Sequence, residues 1–311
     1  MTPWPRPLQH GDRVQLAAAS SALAEAATAR LEAGMAVLDS WGLQVEPHPE
    51  PLRQWGYLAG SDAQRQADLH PQAPLVACLR GGWGAARLLE TQDPSPSAAS
   101  PSPHWLLGFS DVTSLLWARQ AAGIPGGIHG PMVTTLAAEP GWSQQRLRDL
   151  LFGQPLPPLP GSSWTPGVAE GPLLVGNLTV ATHLLGTPHL PDLRGAVLVL
   201  EDIGEAPYRL DRMLTHWRLS GALQQLAGLA FGRFSDCEAG GGDAGDGDDT
   251  RAVTVEQVLR ERSADLGIPV LAGLPVGHRP GNAALPMGVR ARLDADRGLL
   301  SLVPPAPPRQ W

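Results

Sequence analysis

Lysine is absent from the 311-residue sequence, so every strongly basic side chain is an arginine. That absence excludes lysine Schiff bases, Ser-Lys dyads and the lysine of a phosphate-binding loop. Cysteine is scarce: Cys78 and Cys237 stand far apart, in neither a C-x-x-C nor a zinc-ligand spacing. Cys78 sits in an apolar run and reads as a small buried hydrophobe. Positive charge is short too. The net charge of −7 argues against nucleic acid as the main partner. No uninterrupted apolar run approaches the roughly 20 residues that span a bilayer. Residues 1–11 carry prolines and no apolar stretch of a signal peptide. The expectation is a soluble cytoplasmic protein with no membrane partner.

What is present fits a folded, two-domain chain. Hydrophobic residues make up 43% and charged residues 17%, enough apolar side chains for a large core and too few charges for disorder. The first half alternates strand-like and helix-like segments. Residues 14–19, 43–47, 75–79 and 105–109 read as strands. Residues 22–41 read as a helix, with Leu23, Ala27, Leu31, Met35 and Leu38 on or near one face and Gly42 as its stop. Further helices are expected from residue 85 and over 111–122. This β-α alternation implies an α/β fold with a parallel sheet and helices on both faces. In the second half, strands are expected near 173–175, 196–200, 227–231 and 269–274. Helices are expected near 179–185, 209–220 and 254–266. Residues 91–104, rich in Pro and Ser, read as a surface loop, and the Gly- and Asp-rich tract 240–249 as a solvated loop without the EF-hand pattern. Residues 154–171, rich in Pro, Gly and Ser, are the expected linker between domains of 1–153 and 172–311.

Sites of parallel α/β sheets lie beyond the carboxyl ends of strands. Ser110 follows the apolar run 105–109 and precedes a helix, where a hydroxyl projects outward beside free backbone N–H groups. The same position also suits a plain helix N-cap by Ser110 or Asp111. Glu201 ends the apolar run 196–200, and a carboxylate there needs a partner. A histidine would serve, as would Arg209 or Arg212, and Asp202 and Glu205 rival Glu201 for the role. His278 lies in a turn-rich loop after a strand, a usual place for a general base and equally for an idle exposed histidine. Gly81-Gly82-Trp83-Gly84 follows another strand end, where glycines allow close backbone approach to a ligand or simply a tight connection. The order Ser, acid, His is that of α/β-hydrolases, but residues 108–112 are not G-x-S-x-G.

Taken in order, these segments resemble the L,D-carboxypeptidase family of serine peptidases, which includes murein tetrapeptide carboxypeptidases and microcin C immunity proteins. The resemblance is carried by residues 56–62 (GYLAGSD), 80–84 (RGGWG) with Arg87, and 108–113 (GFSDVT). It continues through Gly176-Asn177-Leu178, residues 200–205 (LEDIGE) with Tyr208 and Asp211-Arg212, and Gly277-His278 with Asn282. It implies Ser110 as nucleophile, His278 as general base and Glu201 as the acid orienting it. The N–H groups of Gly82 and Asp111 would form the oxyanion hole. It also implies an N-terminal flavodoxin-like domain, a C-terminal swivelling β/α domain, a homodimer, no metal and no cofactor, with the triad assembled from both domains. The implied substrate is the murein tetrapeptide, which loses its terminal D-alanine during cell-wall recycling. Arg80 or Arg279 would suit the substrate's free carboxylate, because a guanidinium pairs with it bidentately. Trp83, where the family often has tyrosine, borders the expected pocket. Two other readings stand beside this one: a microcin-immunity-like hydrolase of aminoacyl-nucleotide amides, with Trp83 or Trp164 stacking a base, and a non-catalytic two-domain binding protein.

Overall fold

The computed structural model describes residues 3–91, 103–238 and 253–303. The interior of the expected 91–104 loop and the whole 240–249 tract lie outside the described residues. The chain divides into two compact units. One is built from Met1–Leu156, Val175–Pro191 and Arg279–Met287; the other from Pro157–Leu174, Asp192–His278 and Gly288–Trp311.

The first unit holds strands β1 (Arg13–Ala17), β2 (Gln44–Glu46), β3 (Leu75–Cys78), β4 (Trp105–Gly108) and β5 (Gly127–His129). They run parallel in the order β2-β1-β3-β4-β5. That is the strand order of flavodoxin-like sheets. Leu285–Pro286 adds an antiparallel strand on the open edge of β5. β3 and β4 are buried along their whole length. Both are unbroken apolar runs, as strands covered on two faces must be. Helix Thr113–Ala121 buries Leu115, Leu116 and Trp117, each large apolar side chain stabilising by roughly 1.5–3 kcal/mol. Trp117 Nε1 donates to the Val175 carbonyl at 2.8 Å, so burying the indole leaves no polar atom stranded.

The long helix starts later than its periodicity predicts, at Thr28, after a 3-10 turn over Glu25–Ala27. The backbone upstream is already committed. Ala22 N–H donates to Tyr57 O and Ala59 N–H to Ser20 O, each at 3.0 Å, and Ser21 bridges to Leu58. Residues 20–22 therefore serve as a strand-like edge and cannot coil. Helix Asp62–Leu69 opens on a capping box between Ser61 and Gln64, a device worth about 1 kcal/mol.

The second unit carries β6 (Leu159–Pro160), β7 (Ser162–Thr165), most of β8 (Val168–Asn177), β9 (Val197–Ile203), β10 (Gly228–Ser235) and β11 (Val270–Ala272). With Leu285–Pro286 counted as β12, β13 (Arg290–Asp294) and β14 (Leu299–Leu302) complete the set. The strand order is β6-β14-β13-β8-β9-β10-β11-β7. β9, β10 and β11 are parallel. They are linked by helices Pro207–Leu219 and Val255–Ser263, and β13 and β14 pair antiparallel.

Two sequence expectations need correction. Residues 154–171 are not a bare linker: they hold β6, β7 and the start of β8. The prolines there are tolerated because β6 and β7 are the outermost strands, where a missing N–H breaks no ladder. Nor does the first unit end near 153. Residues 175–191 return to it, Asn177 N–H donating to Thr113 Oγ1 at 3.1 Å. Residues 279–287 return again, through the β5–β12 pairing and a 3.0 Å hydrogen bond from Arg146 Nε to Ala284 O. Among the described residues, no helix is long and apolar enough to cross a membrane.

Candidate active site

In the first unit, β4 ends at Gly108, and Ser110 opens the one-turn 3-10 helix Ser110–Val112 that leads into helix Thr113–Ala121. Ser110 has φ 61°, the left-handed region that costs a non-glycine residue about 1–3 kcal/mol. The surroundings impose it. Gly108 has no room for a side chain, since a Cβ there would lie 2.5 Å from Val112 Cγ1. Asp111 is buried, and its Oδ2 accepts the Ala85 N–H at 2.8 Å. Burial pushes the Asp111 carboxyl upward, and the Ala85 hydrogen bond opposes that. The helix start is thus tied to the neighbouring β3 connection, and Ser110 sits at the bend as a nucleophile elbow does.

The glycine turn after β3 lies against this bend. A Cβ added at Gly81 would stand 3.0 Å from Ser110 Oγ and 3.4 Å from the Asp111 nitrogen. Gly82 (φ +114°) and Gly84 (φ +119°) adopt backbone conformations that other residues rarely enter. Of the two expected oxyanion donors, Asp111 directly follows Ser110 in the chain, and Gly82 follows the Gly81 that packs on the Ser110 hydroxyl. Behind the turn, buried Arg65 donates from one η nitrogen to Ala19 O at 2.6 Å and Gly84 O at 2.7 Å. Its other η nitrogen pairs with Asp62, which also holds Arg87.

In the second unit, Glu201 does not stand past a strand end as its sequence suggests; β9 continues to Ile203 and buries both Glu201 and Asp202. The expected end at residue 200 misjudges a strand whose last polar residues are matched from the side. The pairing of β9 with β10 is irregular between Phe231 and Phe234. There Gly232 lacks a side chain, and a Cβ would meet Val276 O at 2.5 Å. The 276–278 loop settles into that space, Arg233 N–H donating to Val276 O at 2.8 Å. His278 Nδ1 then reaches Glu201 Oε2 at 2.7 Å. A carboxylate accepts only, so the neutral imidazole keeps its proton on Nδ1 and leaves Nε2 unprotonated. Burial works against the imidazolium, but the hydrogen bond and charge of Glu201, with Asp202 adding, outweigh it and raise His278 above its ordinary value.

The remaining expected residues fall differently. Arg80 is engaged by backbone, its Nε donating to Gly81 O at 3.2 Å and Nη1 to Ala22 O at 3.0 Å. Trp83 is 41% exposed, its ring edge-on to His183 at 6.1 Å. Arg279 is exposed and directly follows His278. Cys78 is buried, and its thiol is pushed up to about 12 by desolvation and the charges of Asp111 and Asp68, which makes it inert as a nucleophile. Among the described residues, no three His, Cys, Asp or Glu side chains group as metal ligands. Sequence reasoning did not single out Ser21, Arg65 or Gly232. Ser21 had a readable signal, since it lies just past the end of β1, the same kind of place as Ser110 and Gly81.

Residues 14–130 match the LD-carboxypeptidase N-terminal domain, and residues 170–293 match the LD-carboxypeptidase C-terminal domain. The chain belongs to the LD-carboxypeptidase family. A Synechocystis sp. protein named "Putative carboxypeptidase" is 49% identical over 305 residues, covering 96% of this chain and 97% of its own. The murein tetrapeptide carboxypeptidase of Pseudomonas aeruginosa is 36% identical over 310 residues, covering 92% of this chain and 94% of its own. Among solved structures, a muramoyltetrapeptide carboxypeptidase from Oxalobacter formigenes matches with a TM-score of 0.79 at 28% identity, covering 93% of this chain and 97% of its own. The microcin C7 self immunity protein MccF shares the fold, with a TM-score of 0.83 at 20% identity over 97% of this chain and 98% of its own. As an LD-carboxypeptidase family member, the chain is a serine carboxypeptidase, a hydrolase of peptide bonds.

Proposed function

We propose that this carboxypeptidase removes the terminal D-alanine from murein tetrapeptides, with Ser110 as nucleophile, His278 as general base and Glu201 as the acid that orients it. The observation that carries the reading is Ser110 held at φ 61° beside the Gly81-Gly82 turn. The names of the Pseudomonas and Oxalobacter relatives support the substrate. In the proposed reaction, His278 Nε2 takes the hydroxyl proton as Ser110 Oγ attacks the scissile carbonyl. The N–H groups of Gly82 and Asp111 hold the oxyanion. The imidazolium passes that proton to the nitrogen of departing D-alanine, and water, deprotonated by His278, then releases the tripeptide from the acyl-enzyme. Each oxyanion donor is worth roughly 10²–10³ in turnover. We assign the enzyme to cytoplasmic cell-wall recycling as a homodimer without metal.

One feature favours a second substrate class: the exposed ring of Trp83 would stack the base of an aminoacyl-nucleotide amide. Incubation with murein tripeptide, tetrapeptide, pentapeptide and an aminoacyl sulfamoyl adenosine, read by mass spectrometry, separates the two. Loss of one D-alanine from the tetrapeptide alone, unchanged by a chelator, is the expected result. Cleavage of the nucleotide amide alone would replace the murein reading, and turnover of neither would return the chain to the binding-protein reading.

A further inference from the structure

An oxyanion donor must present a fixed peptide plane, and Gly82 cannot fix its own. It is exposed, has φ +114° and has no side chain to anchor it. The anchor comes from the segment that follows β1. Ser21 Oγ accepts the Trp83 N–H at 2.9 Å and stands 3.3 Å from Trp83 O as a donor. A Cβ added at Gly82 would lie 2.4 Å from that same Oγ, so the hydroxyl packs directly on the glycine. On the other side, the Gly81 Cα faces Ser110 Oγ and the Asp111 nitrogen. The Gly81–Trp83 backbone is thus held between two serine side chains, one reactive and one not.

The Ser21 segment is itself rigid. Its backbone pairs with Tyr57 and Ala59, Arg80 Nη1 donates to Ala22 O, and Arg65 ties Ala19 O to Gly84 O. With both flanks fixed, the Ser21 hydroxyl touches Trp83 at both its N–H and its carbonyl.

We infer that Ser21 is a positioning residue for the hydrolysis: by engaging the Trp83 N–H it sets the turn so that the Gly82 N–H is the one offered to the oxyanion beside Ser110. The inference rests on the reading of Ser110 as nucleophile and Gly82 as oxyanion donor. A donor misaimed rather than removed should cost less than the full value of a lost donor.

The test uses the full-length enzyme, the murein tetrapeptide, the tripeptide product and the tripeptide boronic acid, which forms a tetrahedral adduct with the nucleophilic serine. Ser21→Ala should lower kcat by about 10- to 100-fold and leave KM within about twofold. Its affinity for the boronic acid should fall by the same factor, and its affinity for the tripeptide should not change. Ser21→Thr, which keeps the hydroxyl, should recover most of the loss. Should Ser21→Ala fail to fold, Ser21→Cys repeats the comparison with a poor acceptor of similar size. Equal loss of boronate and product binding would mean a merely structural role and overturn the inference. Unchanged kcat in a folded Ser21→Ala, beside an inactive Ser110→Ala, would overturn it alone. Hydrolysis surviving in Ser110→Ala would overturn the parent reading and this one with it.

Discussion

His278 Nδ1 lies 2.7 Å from Glu201 Oε2, and both residues belong to one structural unit, so the proposed acid and base are paired within it. The pairing raises His278 above its ordinary value of 6.5. A base must be neutral to act, so kcat/KM should rise with pH through that raised value. Glu201→Gln should shift this acid limb to lower pH and cut the plateau by roughly 10³–10⁴. A pH profile of kcat/KM checks both; a limb that stays in place would mean Glu201 does not set the histidine.

The same pairing has a signature in stability. A group whose value is raised by folding favours the folded state when protonated. The contribution is fully present below 6.5 and is lost as pH rises through the raised value. Urea unfolding across that interval should show wild type losing stability that Glu201→Gln never had.

Ser110→Ala and Ser110→Gly both remove the hydroxyl, and each should cut turnover by at least roughly 10⁴. They differ in what φ 61° demands. Alanine keeps the left-handed strain and glycine relieves it, at some cost in unfolded-state entropy. Ser110→Gly should therefore be about 1 kcal/mol more stable than Ser110→Ala by denaturant unfolding. The opposite order would show that the bend is unstrained.

Gly277 has φ +134°, and a Cβ there would stand 3.1 Å from both Arg233 O and Glu201 Oε2. Gly277→Ala should destabilise by about 1–3 kcal/mol. It should also lower kcat, because relief of the contact moves either the loop or the carboxylate. Thermal unfolding and steady-state kinetics on one preparation would show whether the two losses travel together.

Arg65 is fully buried and holds two carbonyls and Asp62. Arg65→Met should cost about 2–4 kcal/mol, since two carbonyl oxygens lose their donor. Arg65→Lys should recover less than half of that, because an ammonium cannot copy the guanidinium fork. Equilibrium unfolding of the three proteins gives the ranking.

Strands β3 and β4 were legible because each is a short apolar run followed by a polar or glycine-rich turn, whereas β5, three residues long, left no such pattern. That pattern placed Ser110 and the Gly81-Gly82 turn at strand ends, where the structure has them. Around Glu201 the apolar pattern stops at residue 200, but the strand runs on to Ile203. A buried carboxylate inside a strand looks like a strand end until the Gly232 irregularity on the neighbouring strand is known. The 154–171 segment misled for a related reason: prolines argue against strands in general but not against outermost ones. Ser21 had only its place past the end of β1 to mark it, and the Arg65 bonds to the Ala19 and Gly84 carbonyls had nothing, because no spacing of side-chain types records a bond to a backbone atom. The returns at 175–191 and 279–287 depend on long-range pairing, which local patterns do not encode.

Those returns bear on how the enzyme is made. The unit that holds Ser110 receives its edge strand from Leu285–Pro286, far along the chain from β5. A chain cut anywhere between β5 and that strand therefore carries Ser110 without the completed sheet around it.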